Sequence, residues 1–176
     1  MDAFKLDGRV ALVTGSSAGI GEALARGLAQ AGAEVVINGR RREPVDKVVQ
    51  SLLDAGLKAH AAPFDVTDPN AAAAAVEDIE THVGPIDILV NNAGIQRRES
   101  LEAFDEATWR ELMSTNLDSV FYVSKPVANR MIPRKRGSII NICSVQSELG
   151  RPSIAPYAAS KGGLKMLTKG MAIDWG

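Results

Sequence analysis

The sequence predicts an α/β fold, a doubly wound, mostly parallel sheet with helices on both faces. Strand-like and helix-like stretches alternate along the whole chain, and the strand cores are nearly continuous apolar runs, as expected where both faces of a sheet are covered. Glycines, prolines and capping residues mark the joints, and the connections suit right-handed crossovers. With 176 residues and 45% hydrophobic content, the chain suffices for one well-packed domain over 1–176.

The first strand is expected over residues 9–14, running straight into Gly15-Ser16-Ser17-Ala18-Gly19-Ile20-Gly21. The helix that follows places Ile20, Leu24 and Leu28 at four-residue spacing, a stripe to lay on the sheet, and Gly32 ends it. A second strand at 33–38 leads to the basic cluster Arg40-Arg41-Arg42. Residues 45–53 repeat apolar positions at helical period and stop at Gly56; a third strand spans 57–64. Asp68-Pro69 is a cap and first turn for an alanine-rich helix reaching towards His82. The fourth strand, 86–90, ends at Asn91-Asn92-Ala93-Gly94. Two helices, 104–113 and 117–131, follow and are closed by Pro133. A fifth strand at 138–143 and a loop with Gly150 and Pro152 lead into a last helix carrying Tyr157 and Lys161.

Composition narrows the function. Lys plus Arg total 20 against 21 acidic residues, so no global field draws in nucleic acid or a membrane surface. The charged N-terminus lacks the apolar core of a signal peptide, and no apolar run approaches the roughly 18 residues of a spanning helix, so a cytoplasmic location is expected. Cys143, the one cysteine, excludes an intrachain disulfide and fits a reducing compartment. His60 and His82 stand apart without further ligands, so no metal site is expected.

Gly15, Gly19 and Gly21 lie between a strand and a helix, where glycine lets backbone approach a phosphate and aims helix N-terminal amides at it. Position in a repeated βα pattern favours a dinucleotide over a mere packing turn, and makes the fold Rossmann-type. After the second strand, where NAD-binding domains carry an acid, stands Asn38-Gly39-Arg40. A guanidinium there suits a 2′-phosphate, which favours NADP and leaves NAD possible; the alternative is that Arg40, Arg41 and Arg42 form a solvated helix start. Asp65 can accept from an adenine amine or cap its own turn.

Tyr157 and Lys161, four apart, share a helix face, so a phenol and an ammonium can meet at one site, with the lysine's charge favouring the phenolate. Ser144 can return there through a loop. Each also has a plainer reading: a surface pair for Tyr157 and Lys161, a loop start for Ser144 or Ser147, a helix cap for Asn116. Gln96, Arg97 and Arg151 lie beside this region, where an arginine can pair with a substrate carboxylate or stay an exposed loop charge.

Together these stretches resemble the short-chain dehydrogenase/reductase family. Thr14-Gly15-Ser16-Ser17-Ala18-Gly19-Ile20-Gly21 is similar to its cofactor loop and Asn91-Asn92-Ala93-Gly94 to its NNAG segment. Asn116, Ser144, Tyr157 and Lys161 are similar to its catalytic residues. Phe64-Asp65-Val66-Thr67-Asp68, Asn92-Ala93-Gly94-Ile95-Gln96 and Arg151-Pro152-Ser153-Ile154-Ala155-Pro156-Tyr157 resemble the family's sugar-acid reductases, acting on gluconate and 5-keto-gluconate.

The resemblance implies hydride transfer between a nicotinamide cofactor and a secondary alcohol or ketone. Tyr157 is then the general acid/base, Lys161 supports it and holds the nicotinamide ribose, Ser144 orients the substrate oxygen, and Asn116 positions a helix and a water in a proton relay. Cofactor contacts are implied for Gly15, Ser17, Gly19, Ile20, Gly21, Arg40, Asp65, Val66, Asn92, Ala93, Gly94, Tyr157 and Lys161, and substrate contacts for Ser144, Gln96, Arg97, Ser147, Arg151 and Tyr157. Family members are commonly homotetramers. The chain matches the N-terminal part of the family domain, which normally continues through a sixth strand, a proline-glycine segment and a substrate-binding region, so weak or absent turnover is expected of the 176 residues alone. Other carbonyl reductases of the family, acting on acyl-carrier ketones, steroids or other sugars, and a non-catalytic nucleotide-binding protein are the competing readings.

Overall fold

The computed structural model describes residues 4–176. Five parallel strands form one sheet: β1 (Val10–Val13), β2 (Glu34–Gly39), β3 (Ala59–Pro63), β4 (Ile86–Asn91) and β5 (Ser138–Asn141), in the order β3-β2-β1-β4-β5. The chain winds outward from β1 to β3, crosses back to β4 beside β1, and winds outward again to β5. The carboxyl ends of β1 and β4 therefore flank the switch point, where an open α/β sheet leaves a crevice.

Side chains alternate across the pleat, so each strand feeds two cores. On one face α1 (Gly19–Gln30) and α2 (Arg42–Asp54) cover Ala11, Val13, Val35, Ile37 and Val90. On the other, α3 (Pro69–His82) and α5 (Ser119–Arg134) cover Val10, Leu12, Val36 and Leu89. The last helix, α6 (Ala155–Trp175), packs Leu164 and Met171 near Val120, Leu117 and Cys143.

The stripe that buries α1 differs from the expected one. Gly21, Ala25 and Ala29 face the sheet, while Ile20 is 71% exposed and Leu24 and Leu28 are half-buried. Close approach is the reason: a methyl group on Gly21 would come within 2.5 Å of Asn92 Nδ2, leaving space only for small residues at the contact.

The middle helices also differ. Asp105 caps α4 (Glu106–Met113) by accepting from Thr108 N at 2.8 Å, and α4 runs through a π turn, Ser114–Asp118, directly into α5. Asn116 is thus a buried residue inside a continuous rod, not a cap between two helices. Pro133 lies within α5, and the closure comes from Lys135, whose φ of 50° turns the chain left-handed. Asp68 does cap α3 with Pro69 behind it, accepting from Asn70 N and Ala71 N. Strand β5 ends at Asn141, so Cys143 lies just beyond it.

At the amino end of β4, Asp87 is buried and accepts from Val10 N at 3.2 Å, Arg9 at 3.2 Å and Arg136 Nε at 2.7 Å, clamping β1 and the β5 approach to β4. Burial pushes its carboxyl pKa up, but the Arg136, Val10 and Arg9 hydrogen bonds outweigh this and hold it below the usual value. Among the described residues, no helix is long and apolar enough to cross a membrane.

Candidate active site

The crevice at the switch point is a cleft of about 390 Å³. Gly15, Ser17, Ile20, Gly21, Arg40, Asp65, Val66, Asn92, Ala93 and Gly94 line it, so the structure brings together most residues expected to meet a cofactor. Its floor is made by side chains tying strand ends to each other. Thr14 is buried, and its Oγ1 accepts from Asn92 N at 3.0 Å and Ala93 N at 3.1 Å; Asn92 Nδ2 returns the tie by donating to Thr14 O and Gly15 O. The loops after β1 and β4 are thereby one unit.

Asn38, at the end of β2, is a second tie that the sequence did not announce. It is 1% exposed, accepts from Gly15 N at 3.1 Å, and donates to Ala62 O and Phe64 O, both at 3.1 Å. Its own N–H goes to Ser16 Oγ at 2.9 Å. The glycine loop is thus held against the ends of β2 and β3. Asn38 and Thr14 carry no periodic signal; only their place at strand ends beside a glycine loop points to them.

The walls fit a dinucleotide phosphate. A methyl on Gly15 would lie 2.8 Å from Ala93 Cα, and one on Gly39 would lie 2.6 Å from Ser17 Oγ, so glycine is required for the cradle to close. Helix α1 has no side chain capping its first turn, which leaves backbone N–H groups there for an anion. Gly19 has φ of +61°, and a side chain there would meet nothing within 4 Å. Arg40 lines the cleft, is exposed, and forms no ion pair among the described residues, whereas Arg42 is drawn to Asp46 at 3.8 Å. That leaves Arg40 available to a 2′-phosphate.

Asp65 lines the cleft and also makes the turn: its Oδ1 accepts from Thr67 N at 2.9 Å and Thr67 Oγ1 at 2.7 Å. The turn role and an adenine contact are compatible, because Oδ2 has no protein partner among the described residues. Glu111 and Thr115 complete the lining from α4 and the π turn. The structure also has a larger hollow, about 680 Å³, beside the free edge of β5, lined by Met131, Ile139, Met171 and Trp175. Lys135, Arg136, Asn141 and Thr168 also line it, and it lacks the glycine cradle, so it is not the cofactor cleft.

The Tyr157 and Lys161 helix approaches the Gly94 end of the 390 Å³ cleft. A methyl built on Gly94 would lie 3.3 Å from Asn116 Oδ1 and 3.7 Å from Lys161 Nζ. Lys161 is 5% exposed, donates to Ile142 O at 2.7 Å, and places Nζ 5.9 Å from the centre of the Tyr157 ring. Burial lowers its pKa from the ordinary lysine value, with the charge on Cys143 acting in the opposite direction.

Asn116 is fully buried and saturated. Its Oδ1 accepts from Ile95 N at 2.8 Å, and its Nδ2 donates to Ile95 O at 2.9 Å and Ser160 Oγ at 3.1 Å. It therefore joins the loop after β4 to the helix turn between Tyr157 and Lys161. Ser144 Oγ accepts from Gln146 N at 3.1 Å, and Ser147 Oγ accepts from Ser144 N at 3.3 Å, forming a reciprocal cap on a short 3-10 turn.

Gln96, Arg97 and Arg151 are exposed around this end. Arg97 is occupied: its guanidinium donates to Gln96 O and reaches Glu111 at 3.5 Å. Arg151 has no ion pair among the described residues, and its loop is joined to the segment after β4 by Glu99 N donating to Ser153 O at 3.2 Å. Neither histidine approaches the site; His60 pairs with Glu34 and His82 with Asp78.

The family model described as short chain dehydrogenase matches residues 9–176. Gluconate 5-dehydrogenase of Gluconobacter oxydans (strain 621H) is 60% identical over 99% of this chain and 68% of its own length. The 5-keto-D-gluconate 5-reductase of Escherichia coli (strain K12) is 51% identical, over 98% of this chain and 68% of its own. The crystal structure of a gluconate 5-dehydrogenase from Burkholderia cenocepacia J2315 in complex with NADP and tartrate superposes with a TM-score of 0.96 at 57% identity, covering 99% of this chain and 68% of that one.

Proposed function

Since the chain belongs to the short-chain dehydrogenase family of oxidoreductases, we propose that it works with NADP(H) and interconverts 5-keto-gluconate and gluconate. The observation that carries the cofactor reading is Arg40, an unpaired cation on the wall of a cleft whose floor is a glycine cradle. The similarity to gluconate 5-dehydrogenase and 5-keto-D-gluconate 5-reductase supports the substrate.

NADPH, when bound, supplies the hydride for ketone reduction. Gly15, Ser17, Gly19, Ile20 and Gly21 hold its phosphates, with Arg40 on the 2′-phosphate and Asp65, Val66, Asn92, Ala93 and Gly94 along its length. Tyr157 donates the proton that the reduced carbonyl oxygen requires and recovers it in the reverse direction. Lys161, held by its bond to Ile142 O, supplies positive charge beside the ring and reaches the Gly94 end of the cleft.

Ser144 acts as a donor. Its oxygen already accepts from Gln146 N, so its O–H is free to point at the substrate oxygen and stabilise the charge that develops there. Asn116 holds the Ile95 segment and α6 at a fixed separation, which keeps the cleft wall and the proton donor in one frame. Arg151, exposed and without an ion pair among the described residues, is a partner for a sugar-acid carboxylate, and Gln96 and Ser147 offer hydroxyl-binding groups.

The test is NADPH oxidation driven by 5-keto-gluconate, in the native protein and in Tyr157→Phe. This reading predicts substrate-dependent turnover that falls by at least about a thousandfold in the variant while NADPH binding persists, the scale of losing a general acid within its site. Turnover that survives the substitution would refute the role of Tyr157, and turnover of other ketones but of no sugar acid would refute the substrate.

A further inference from the structure

Below the catalytic pair, a line of buried or half-buried polar side chains crosses the molecule from one helix to another. Asn91 and Asn141 are register partners on adjacent strands β4 and β5. Asn91 Nδ2 donates to Ser124 Oγ of α5 at 2.8 Å and to Asn141 Oδ1 at 2.8 Å; Asn141 Nδ2 donates to Thr168 Oγ1 of α6 at 2.9 Å. Thr168 Oγ1 passes its own hydrogen to Leu164 O at 2.7 Å. Every member has a partner, so the line is oriented from end to end. Such side-chain networks specify geometry more than they add net stability.

The position of Thr168 gives this line a consequence at the active site. Thr168 and Lys161 are seven residues apart, about two helical turns, so they lie on nearly the same stripe of α6 and about 10 Å apart along its axis. Consecutive residues at the end of β5 hold both: Asn141 binds Thr168, and the carbonyl of Ile142 binds Lys161 Nζ at 2.7 Å. Two anchors on one stripe fix both its rotation and its level against the sheet, and with them Tyr157, which is one turn from Lys161.

Resting on the reductase reading above, we infer that Asn141 is a positioning residue for the reaction, acting through Thr168 to hold Lys161 and Tyr157 in register with Ser144. It touches neither substrate nor cofactor. Asn116 ties α6 to the loop after β4 through Ser160, and the anchor at Thr168 ties it to β5 about two turns further along.

Thr168→Val keeps the shape of the side chain and removes the acceptor, leaving Asn141 Nδ2 only the weak Met171 Sδ contact at 3.7 Å. Thr168→Ser restores the hydroxyl, and Asn141→Ala removes the donor from the other side. Two readouts are compared: kcat and KM with 5-keto-gluconate and NADPH, and the rate at which acetic anhydride acylates Lys161, followed by peptide mass spectrometry with exposed Lys58 as reference. The inference predicts that Thr168→Val and Asn141→Ala lower kcat about tenfold, the scale of a sub-ångström to ångström misplacement, with KM changed less than about twofold. Lys161 acylation rises about tenfold relative to Lys58 in both, and Thr168→Ser behaves as the native protein. A merely structural role would lower the melting temperature without moving Lys161 labelling or the kcat of folded enzyme. Unchanged labelling in folded Thr168→Val overturns the inference, whatever the turnover. A native protein that binds no NADPH, but with labelling that rises in Val and Ala and not in Ser, keeps the anchor and sinks the reductase reading instead.

Discussion

Replacing Asn38 by Asp changes one NH₂ to an oxygen in a site that is 1% exposed, and the structure states what that oxygen would face. Ala62 O and Phe64 O now receive hydrogen bonds at 3.1 Å; a protonated Asp keeps one of them and a carboxylate neither. At about 1 kcal/mol for each bond lost, the protonated form loses about 1 kcal/mol. The new carboxylate would still accept from Gly15 N, but it would be buried against two carbonyl oxygens, so its folded pKa rises above the unfolded value of about 3.9.

A raised acid pKa means that the protonated form is favoured in the fold, so the added penalty is absent well below about pH 4. It grows as pH rises through the folded value; for a rise of about 2 units it reaches about 2.7 kcal/mol. The total is then about 1 kcal/mol in acid and about 4 kcal/mol at neutral pH. With a urea slope of about 2 kcal/mol/M, the unfolding midpoint of the variant should lie about 0.5 M below the native protein at pH 4 and about 2 M below it at pH 7. Urea titrations of both proteins at the two pH values, compared pairwise, remove the pH dependence they share. A penalty that is the same at both, or smaller at pH 7, would refute the placement of Asn38 as a buried double donor.

Arg40→Ser should weaken NADPH binding about tenfold, the scale of a charge-assisted hydrogen bond of about 1.5 kcal/mol, and alter NADH binding less than about twofold; equal losses for both, by calorimetry, would remove the 2′-phosphate role. Gly21→Ala should cost about 1–3 kcal/mol of stability by overpacking against Asn92 and disturb cofactor binding, whereas Gly19→Ala, with open space around it, should cost only the roughly 1 kcal/mol of a left-handed backbone. Thermal melts and NADPH titrations of the two variants check the contrast, and equal melting temperatures would contradict it. Asp87→Asn should lose about 1–2 kcal/mol at pH 7. Because the native carboxyl is held below its unfolded value, that contribution is present above about pH 4 and is lost as pH falls through the folded value, so the difference between native and variant must shrink in acid; a constant gap would contradict the clamp.

The order of strands and helices was legible because each element has a local signature. The apolar runs of β1, β2 and β4, the Asp68-Pro69 cap and the Gly32 stop are all short-range patterns. That Tyr157 and Lys161 share a helix face was legible from spacing, but spacing alone suits a surface pair equally; their joint role came from the resemblance, which also added Asn116, a residue that spacing would have assigned to a cap. What stayed hidden was set by distance in sequence. The ties of Thr14 to Asn92, Asn38 to Ala62 and Asn141 to Thr168 join residues 24 to 78 positions apart, and no periodicity reports which polar side chain at a strand end will find which carbonyl. The exposure of Ile20 was hidden for a related reason. Hydrophobic spacing names a stripe of large residues, but at the cofactor loop the helix lies too close to the sheet for them, so the small-residue stripe is buried instead. Likewise the π turn at Ser114–Asp118, which carries Asn116 inward, has no residue pattern of its own.

Calorimetric titration of the 176-residue chain with NADPH and with NADH, followed in the same sample by addition of 5-keto-gluconate, tests the central claim most directly. The account predicts NADPH binding at least about tenfold tighter than NADH, with the preference reduced at high salt, and keto-acid-dependent nicotinamide oxidation that is weak or absent in these 176 residues alone. Equal affinity for the two cofactors, or no binding by a sample whose far-UV spectrum and cooperative melt show it folded, would contradict it.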